Sequence, residues 1–155
     1  MINVDEKTEL STSEKSLVVD LWNNEYPAQV ILKGIHELDL YYSNITNARH
    51  FLLHEGELII GWASKFERAR EKWFLIIVHR DFQHKGIGRE LLHYIIKDEE
   101  NLNGWVVDHN DYKKSDGTTY QSPLSFYAKN GFEIFENTRV FNGKINAIKI
   151  IYNRT

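Results

Sequence analysis

The apolar run from Trp73 to Val78, Trp-Phe-Leu-Ile-Ile-Val, is the feature that most limits how this chain can fold. Its six residues show no alternation of polar and apolar side chains, which is typical of a strand covered on both faces. A polar segment follows, and then Ile87, Leu91 and Ile95 recur every four residues. This spacing predicts a helix over residues 88–100 with one apolar face. A buried strand followed by an amphipathic helix is typical of domains in which helices cover a sheet.

The other elements are predicted from hydrophobic period, capping residues and turn residues. Ser11 with Glu14 three positions later is the pattern of a capping box, which marks the start of a helix. Glu55-Gly56-Glu57 marks a tight turn between two stretches rich in β-forming residues. In chain order, the sequence predicts helices over 12–24 and 34–44, strands over 49–54, 58–66 and 72–78, the helix over 88–100, a strand over 105–108, a short helix that begins at Ser122-Pro123, and strands over 132–136 and 145–152.

Two segments of this pattern are predicted to be turns or loops. Residues 67–71 are expected to form a charged turn, so that the three strands before the glycine-containing segment run antiparallel. Asn103-Gly104 is expected to end the long helix. Residues 109–121 are polar and have no clear period, and a loop of that length in a compact domain is usually functional.

These elements predict one α/β domain (α+β in finer terms) with a mixed sheet. The chain has 155 residues, with 42% apolar and 26% charged residues, close to the averages of globular proteins. That length fits one domain, so we expect residues 1–155 to form a single unit.

Composition excludes several classes of function. The net charge is −3, from 19 basic and 22 acidic residues, which argues against a protein that binds the nucleic-acid backbone. The absence of cysteine excludes disulfides, thiolate metal sites and a cysteine nucleophile. The seven histidines lack the spacing of a metal site, so we expect no metal. Residues 1–10 are charged and polar, unlike a signal peptide, and no apolar run could span a bilayer, so we expect a cytoplasmic protein with no membrane partner.

The segment between the buried strand and the helix carries the clearest sign of chemistry. It contains Gly86 and Gly88 and gathers the cations Arg80, Lys85 and Arg89 against one acid, Asp81. A helix N-terminus has unpaired backbone N–H groups and binds phosphates well, and glycines let the backbone come close to them. The alternative is a plain strand-to-helix turn. A Walker loop does not fit, because the string Gly-x-x-x-x-Gly-Lys-Ser/Thr does not occur in the chain. The dinucleotide fingerprint Gly-x-Gly-x-x-Gly does not fit either, because its third glycine is Leu91 here.

Two motifs resemble those of the GNAT superfamily of N-acetyltransferases. Gln83-His84-Lys85-Gly86-Ile87-Gly88 is similar to the family's pyrophosphate loop, Arg/Gln-x-x-Gly-x-Gly/Ala, between a strand and a helix. Phe126-Tyr127-Ala128-Lys129-Asn130-Gly131-Phe132 is similar to its Phe-Tyr-x-x-x-Gly-Phe signature. The motifs stand in the family's order, and the resemblance covers about residues 50–152. It implies a GNAT-like fold, in which a central, mostly antiparallel mixed sheet is flanked by helices and has a splayed pair of parallel strands.

The resemblance also implies acetyl-coenzyme A as the cofactor, bound where the parallel strands 72–78 and 105–108 separate. Backbone groups of one strand would hold the pantetheine arm, and the motif's amides and cations would hold the pyrophosphate. The residues implied by position are Ile76, Ile77 and Val78 for the arm and Gln83, His84, Lys85, Gly86, Ile87, Gly88 and Arg89 for the pyrophosphate.

Tyr127 matches the family tyrosine near the cofactor sulfur, and a phenol there can protonate the departing thiolate as a general acid. The alternative for Tyr127 is an ordinary packed tyrosine. The base that accepts the amine proton is not named by the sequence. Asp108, at the end of a predicted strand, is our candidate, with His109 and Glu71 as alternatives and water as another.

The chain departs from the family pattern in one place. The family asparagine that helps to bind the cofactor would stand seven residues before Tyr127, where this chain has Tyr120. Asn110 follows the preceding strand as that asparagine does, but about ten extra residues intervene. Either Asn110 keeps the cofactor role with the extra loop extruded, or the role is lost. We expect the inserted loop to shape the acceptor pocket.

The function implied is transfer of an acetyl group from acetyl-CoA to a primary amine of a small molecule or peptide. The resemblance implies direct attack by the amine within a ternary complex, and homodimers are frequent in the family, so we expect one here. The alternative is a non-catalytic sensor or regulatory module that binds acyl-CoA. A nucleic-acid-binding regulator is a third candidate, which the acidic balance and the lack of a basic helix disfavour.

Overall fold

The computed structural model describes residues 2–154, which form a seven-stranded sheet with helices on both faces. Its strands and helices are, in chain order, β1 (Ile2–Lys7), α1 (Thr12–Glu25), α2 (Ile35–Tyr42), β2 (Thr46–Glu55), β3 (Leu58–Arg68), β4 (Glu71–Val78), α3 (Ile87–Ile96), β5 (Asn101–Val106), α4 (Leu124–Lys129), β6 (Glu133–Phe141) and β7 (Asn146–Asn153).

The sheet has the strand order β1-β2-β3-β4-β5-β7-β6, and every neighbouring pair is antiparallel except β4 and β5. Helices α1 and α2 cover one face, where Trp22 and Trp62 lie in one buried cluster. Helix α3 covers the other face, where Leu91 and Ile95 are fully buried in a second cluster. The predicted fold class, α/β with a mixed and mostly antiparallel sheet, is confirmed.

The predicted capping box begins α1 as expected. The Glu14 amide donates to Ser11 Oγ over 3.2 Å, and the Ser11 amide donates to Glu14 Oε1 over 2.7 Å. These two bonds satisfy backbone N–H groups that a bare helix start would leave unpaired. The predicted charged turn at 67–71 is shorter than expected. The strands continue to Arg68 and from Glu71, and only Ala69 and Arg70 form the turn, both with positive φ.

The strand predicted over 105–108 was placed too late, because Gly104 does not end a helix. Helix α3 already ends at Ile96, and β5 runs from Asn101 to Val106 with Gly104 inside it. A Cβ atom at Gly104 would lie 2.8 Å from Cε1 of Phe74, so the glycine serves the close packing of that ring. Glycine in a strand often marks such a close approach, which the sequence does not distinguish from a helix stop.

Strand β1 is an element that sequence patterns did not predict. Most of its residues are exposed, so it has no apolar face, and it forms by antiparallel pairing with β2 from Ile2↔Glu55 to Lys7↔His50. The bounds of two later elements differ slightly from expectation. Strand β6 extends to Phe141 rather than to residue 136, and α4 begins at Leu124 rather than at Pro123. The predicted single domain takes in Met1 and Thr155, which lie outside the described residues.

The parallel strands β4 and β5 separate almost as soon as they meet. They share one register pair, Trp73↔Asn103, and the rest of β4 has a partner only on the β3 side. The predicted splayed pair is therefore present. Among residues 2–154, no helix has both the length and the apolar character that crossing a membrane requires.

Candidate active site

The gap between β4 and β5 opens into a cavity of about 560 Å³. Both strands contribute to its wall, and helix α1, the hairpin β3–β4, the loop before α4 and the β6–β7 turn complete it. Its lining is mostly aromatic and aliphatic. The aromatic residues that line it are Trp22, Tyr26, Tyr41, Phe66, Trp73, Phe74, Trp105, Tyr120 and Tyr127.

The far half of β4 has one free edge that faces this gap. Ile76, Ile77 and Val78 pair with Ala63, Trp62 and Gly61 of β3 on one side. On the other side β5 has moved away, so backbone groups of this stretch are free to bind a ligand that lies like an added strand. Ile76 also lines the cavity.

The segment after β4 forms a compact turn that ends at the start of α3. Gln83 closes it, because its Nε2 donates to the Val78 carbonyl over 3.0 Å. His84 and Gly86 both have positive φ, 62° and 84°. A Cβ atom at Gly86 would meet no other atom within 4 Å, so the space beside this glycine is open to a ligand.

Helix α3 presents its N-terminus to that open space. The backbone N–H groups of its first turn, at Ile87, Gly88 and Arg89, lack intrahelical partners, and the helix dipole adds positive potential. Lys85 and Arg89 are exposed, and no carboxylate within residues 2–154 forms an ion pair with either. The turn therefore has the form of an anion-binding cradle.

Arg80, which the charge pattern grouped with these cations, has another role. Its side chain pairs with Glu25 and with Asp116, and its backbone N–H donates to Glu25 Oε2 over 2.9 Å. Its charge is neutralised by these two carboxylates. The cationic stretch therefore reduces to Lys85 and Arg89 at the cradle itself.

The two sequence motifs meet in space. A Cβ atom at Gly88 would lie 3.5 Å from Cζ of Phe126, so the start of α3 packs against α4. The next residue, Tyr127, is buried and packs against Phe74 and Phe132 at ring distances of 5.6 and 5.2 Å. Phe126 therefore connects the glycine turn of one motif with the Phe-Tyr motif, whose tyrosine lines the cavity.

Tyr127 lines the cavity, and within residues 2–154 its hydroxyl has no hydrogen-bond partner. Burial, and next the nearby Tyr120, raise the pKa of Tyr127 well above its usual value. Its phenol is therefore protonated throughout the neutral pH range. Such a group can donate a hydrogen bond to negative charge that develops in the cavity.

The three candidate bases lie outside the cavity wall. Asp108 binds Arg139 over 2.8 Å, and this hydrogen bond holds the pKa of Asp108 below its usual value. His109 Nδ1 accepts the Asp111 amide over 3.1 Å, and Glu71 lies 3.6 Å from Lys149. Within residues 2–154, none of the three lines the cavity.

The inserted loop is extruded from the motif that surrounds it. Asn110 Oδ1 accepts the Ser122 amide over 2.8 Å, which brings the two ends of residues 111–121 together. Inside the loop, Lys113 and Thr119 form an isolated β-bridge, and Tyr120 at its end lines the cavity. The loop thus contributes to the pocket, while the cofactor contact of Asn110 stays a prediction.

Salt bridges hold this loop against α1. Glu25 is buried with 4% exposure, and its Oε1 accepts from Lys114 Nζ over 2.8 Å. Nearby, the Ala28 amide donates to the Lys113 carbonyl over 2.8 Å. The buried carboxylate of Glu25 therefore joins α1, the segment after β4 and the inserted loop.

Sequence patterns missed much of the cavity wall. Trp22, Trp73 and Trp105 line it, whereas Trp62 is fully buried. The rings of Trp73 and Trp105 face each other across the gap. They stack with ring centres 5.4 Å apart. Their apolar surroundings in the sequence are those of core residues, and only the separation of β4 and β5 exposes them to a cavity.

The comparison with known families decides the identity of this fold. The sequence profile of the acetyltransferase (GNAT) domain matches residues 46–134, which include the glycine turn, the splayed strands and Tyr127. The chain belongs to the GNAT acetyltransferases. It is therefore an acetyltransferase, as its two motifs indicated, and acetyl-CoA, the acetyl donor of this family, is confirmed as its cofactor.

Solved GNAT structures have the same fold over almost the whole chain. An aminoglycoside 6'-N-acetyltransferase in complex with coenzyme A is 13% identical, with a TM-score of 0.72 over 97% of this chain and 96% of that one. The ribosomal-protein-S18-alanine N-acetyltransferase of Escherichia coli is 18% identical, with a TM-score of 0.64 over 99% and 94%. A Salmonella typhimurium protein solved with acetyl-CoA as its cofactor is 13% identical, with a TM-score of 0.68 over 97% and 94%. Among curated protein sequences, none matches this chain.

The residues present fit an acyl-CoA cofactor. The free edge of β4, the open space beside Gly86 and the unpaired cations Lys85 and Arg89 follow one another along the chain. A thioester arm and a pyrophosphate need this sequence of partners: a strand edge, then a cradle of amides with positive charge. Within residues 2–154, no three metal-ligating side chains come together.

Proposed function

We propose that this protein transfers the acetyl group of acetyl-CoA to a primary amine of a small molecule or peptide, by direct attack within a ternary complex. The observation that carries the proposal is the place of Tyr127. Its protonated, unpartnered hydroxyl belongs to the wall of an apolar cavity that opens where β4 and β5 separate. A single cavity that both strands and α1 line can hold the thioester and the acceptor together.

The cofactor residues of the proposal follow the free edge and the cradle. Backbone groups of Ile76, Ile77 and Val78 bind the pantetheine arm. Amides from His84 to Arg89, which include Gly86, Ile87 and Gly88, bind the pyrophosphate, and the Lys85 and Arg89 side chains add positive charge. Gln83 acts through its bond to the Val78 carbonyl, which holds the turn in shape. When bound, acetyl-CoA supplies an activated acetyl thioester whose leaving group is a thiol.

Tyr127 acts at the sulfur side of the transfer. Its phenol donates a hydrogen bond where the thiolate charge develops and then supplies the proton. The raised pKa makes it a weak acid, so the hydrogen bond to the developing charge is the larger part of its contribution. The rings of Phe74 and Phe132 pack against Tyr127 and make its surroundings apolar, which strengthens that interaction.

The amine must be neutral when it attacks, and Asp108 stays our predicted acceptor of its proton. The bond to Arg139 opposes this role, because it lowers the pKa of the carboxylate and occupies its oxygens. Direct contact with the acceptor would require Arg139 to release Asp108. The Asp108→Asn variant tests the role. If Asp108 is the base, the variant should change how turnover depends on pH. If Asp108 is only the partner of Arg139, the variant should change mainly the stability of the protein.

The experiment that tests the proposal is a panel of primary amines and amine-bearing peptides, with acetyl-CoA as donor and release of free thiol as the signal. We expect thiol release that depends on a subset of amines, with an N-acetylated product of matching mass. Initial rates at varied concentrations of both substrates should give intersecting double-reciprocal lines, as a ternary complex requires; parallel lines would indicate an acetyl-enzyme.

The panel also separates the enzyme from a sensor that only binds acyl-CoA. A sensor would bind acetyl-CoA in calorimetry and release no thiol with any amine. The expected homodimer remains a prediction, which sedimentation equilibrium of the full chain would test.

A further inference from the structure

The wall of the cavity has an uneven charge. Among the described residues that line it, Arg68 is the one charged side chain, and no aspartate, glutamate, lysine or histidine joins it. The remaining polar groups are mainly tyrosine hydroxyls. An acceptor that binds through its own positive charges would need carboxylates in this wall. The wall instead carries the cation Arg68.

Arg68 is also held in an unusual position for a surface arginine. It is half-buried, and its guanidinium carbon lies 4.9 Å from the ring centre of Trp73 and 5.5 Å from that of Phe66. Stacking on aromatic rings fixes the orientation of a guanidinium while leaving its N–H donors free. Arg68 therefore packs with Phe66 and Trp73, where β3 ends and β4 begins.

The guanidinium of Arg68 lacks the carboxylate partner that three other arginines have. Arg49, Arg80 and Arg139 each form an ion pair with a carboxylate, whereas within residues 2–154 no carboxylate pairs with Arg68. Burial raises the pKa of the nearby Tyr41, and the charge of Arg68 and a hydrogen bond from Arg68 oppose that rise, so the guanidinium lies beside a tyrosine of the cavity wall. A guanidinium has five N–H donors, so a half-buried arginine without a carboxylate partner keeps donors that suit a carboxylate.

We propose that Arg68 binds an anionic group of the acceptor, and that the acceptor is a primary amine joined through an aromatic or other apolar body to a carboxylate. The inference rests on the proposed acetyl transfer for the amine end. The aromatic wall between Arg68 and Tyr127 binds the apolar body, and the guanidinium binds the carboxylate in the planar, two-pronged geometry that suits it.

The positions of Arg68 and Tyr127 favour a molecule with separated ends. Arg68 stacks on Trp73, whereas Tyr127 packs on Phe74, the next residue of β4. Consecutive strand residues project to opposite faces of a sheet, so the two groups contact the cavity from different sides of the strand. An acceptor that reaches both must carry its carboxylate away from its amine, with the apolar body between them.

The composition of the wall also favours the chemistry at the amine end. An apolar wall without carboxylates disfavours the ammonium form of a bound amine. The fraction of acceptor that is neutral and able to attack therefore increases on binding. The same arrangement would repel polyamines and other acceptors with several positive charges.

Two matched ligands test the proposal by binding, without turnover. They are 4-(2-aminoethyl)benzoate and its neutral carboxamide, each titrated by calorimetry into protein saturated with coenzyme A. We expect the carboxylate to bind roughly tenfold or more tightly than the carboxamide, the range that a hydrogen-bonded charge supplies. The difference should disappear in Arg68→Gln and persist in part in Arg68→Lys.

Arg70→Gln is the matched control, because Arg70 is an exposed neighbour that does not line the cavity. It should keep the full preference for the carboxylate. Equal affinity of the wild-type protein for the two ligands would overturn the proposal, even if the Arg68 variants fail to fold. So would a preference that survives in Arg68→Gln.

Turnover of the same two amines distinguishes this inference from the proposed function. A carboxylate preference in kcat/KM that depends on Arg68 supports both. A preference in binding that depends on Arg68, without acetylation of any amine in the panel, supports anion recognition and overturns the acetyl transfer. Acetylation of both amines with equal kcat/KM and equal affinity supports acetyl transfer and overturns the role of Arg68.

Discussion

The side chain of Tyr127 is buried, and its hydroxyl is at the wall of the cavity. Its ring packs against Phe74, Phe126 and Phe132, whereas within residues 2–154 the hydroxyl has no hydrogen-bond partner. Packing therefore fixes the ring, and the hydroxyl stays available to a ligand in the cavity.

Replacement of Tyr127 by Phe separates catalysis from packing. Because the ring remains and no internal hydrogen bond is lost, we expect the melting temperature and the affinity for coenzyme A to change little. Turnover should fall roughly 10²-fold or more, which is typical when acid catalysis is lost. Tyr94→Phe is the control, since Tyr94 stacks on Phe51 away from the cavity. Normal turnover of Tyr127→Phe, with chemistry rate-limiting, would remove Tyr127 from the mechanism.

His50 shows how burial of one side chain makes stability depend on pH. It is buried between Tyr42 and Trp62, and its Nδ1 accepts from Trp62 Nε1 over 3.2 Å. Burial lowers the pKa of His50 from 6.5 to about 4. Between these two pH values the unfolded chain binds a proton that the folded chain does not, so the free energy of unfolding falls as the pH falls.

We therefore expect His50 to remove about 2 kcal/mol of stability between pH 7.5 and pH 5. Urea unfolding at the two pH values measures the loss. His50→Gln should reduce this pH dependence, while the same change at the exposed His36 should leave it as in the wild type. An identical pH dependence in His50→Gln would contradict the assignment.

At the scale of elements, the turn between β4 and α3 combines a backbone requirement with a binding role. Gly86 has a φ of 84°, a conformation that β-branched residues avoid, and the space beside it is open. Gly56, in the hairpin between β2 and β3, shares both properties and does not line the cavity. This similarity allows the cost of strain to be separated from the loss of a ligand contact.

We expect Gly86→Val to weaken coenzyme A binding at least tenfold, because the side chain would fill the space of the phosphate. Gly56→Val should lower stability by a similar amount and leave the affinity as in the wild type. Calorimetry on the folded fraction compares the two variants.

The same assay tests the two cations at the cradle. Lys85→Ala and Arg89→Ala should weaken the binding of coenzyme A more than the binding of pantetheine, because only coenzyme A carries phosphate groups. Equal losses of affinity for the two ligands would show that these side chains do not bind phosphate.

The inserted loop depends on a buried carboxylate. Glu25→Gln would leave Lys114, which is itself mostly buried, without a counter-charge. Removal of one partner from a buried ion pair costs about 3 kcal/mol or more, so we expect a loss of that order in urea unfolding. Faster proteolysis within residues 109–121 should accompany it. Glu6→Gln, which breaks the exposed pair with Arg49, is the control and should change little.

At the scale of the whole molecule, β4 and β5 join the two halves of the sheet through one register pair, and the rest of β4 has a free edge. Bound acetyl-CoA would fill the gap, so we expect amide hydrogen exchange at Ile76–Val78 and in the first turn of α3 to slow when the ligand is added. Amides of the β1–β2 pair should slow only to the extent that global stability rises. Uniform slowing across the sheet would show that the ligand does not bind along β4.

The sequence by itself determined the elements whose signals are local. The capping box at Ser11, the apolar run that became β4, and the glycine turn with its amphipathic helix were predicted because neighbouring residues carry the information. The two family motifs likewise led to the correct fold class, activity and cofactor. Each of these features extends over fewer than about twenty residues of chain.

Only the tertiary structure decided the features that depend on pairing between distant segments. Strand β1 has no apolar pattern and forms because the edge of β2 offers unpaired backbone groups. Gly104 lies inside a strand where the ring of Phe74 occupies the space that a Cβ atom would take. The separation of β4 and β5 opens a cavity, and its wall is built from segments far apart in the chain. Residues from three such segments are Trp22, Arg68 and Tyr120. A local pattern cannot encode such a site, since its wall exists only after the sheet has formed.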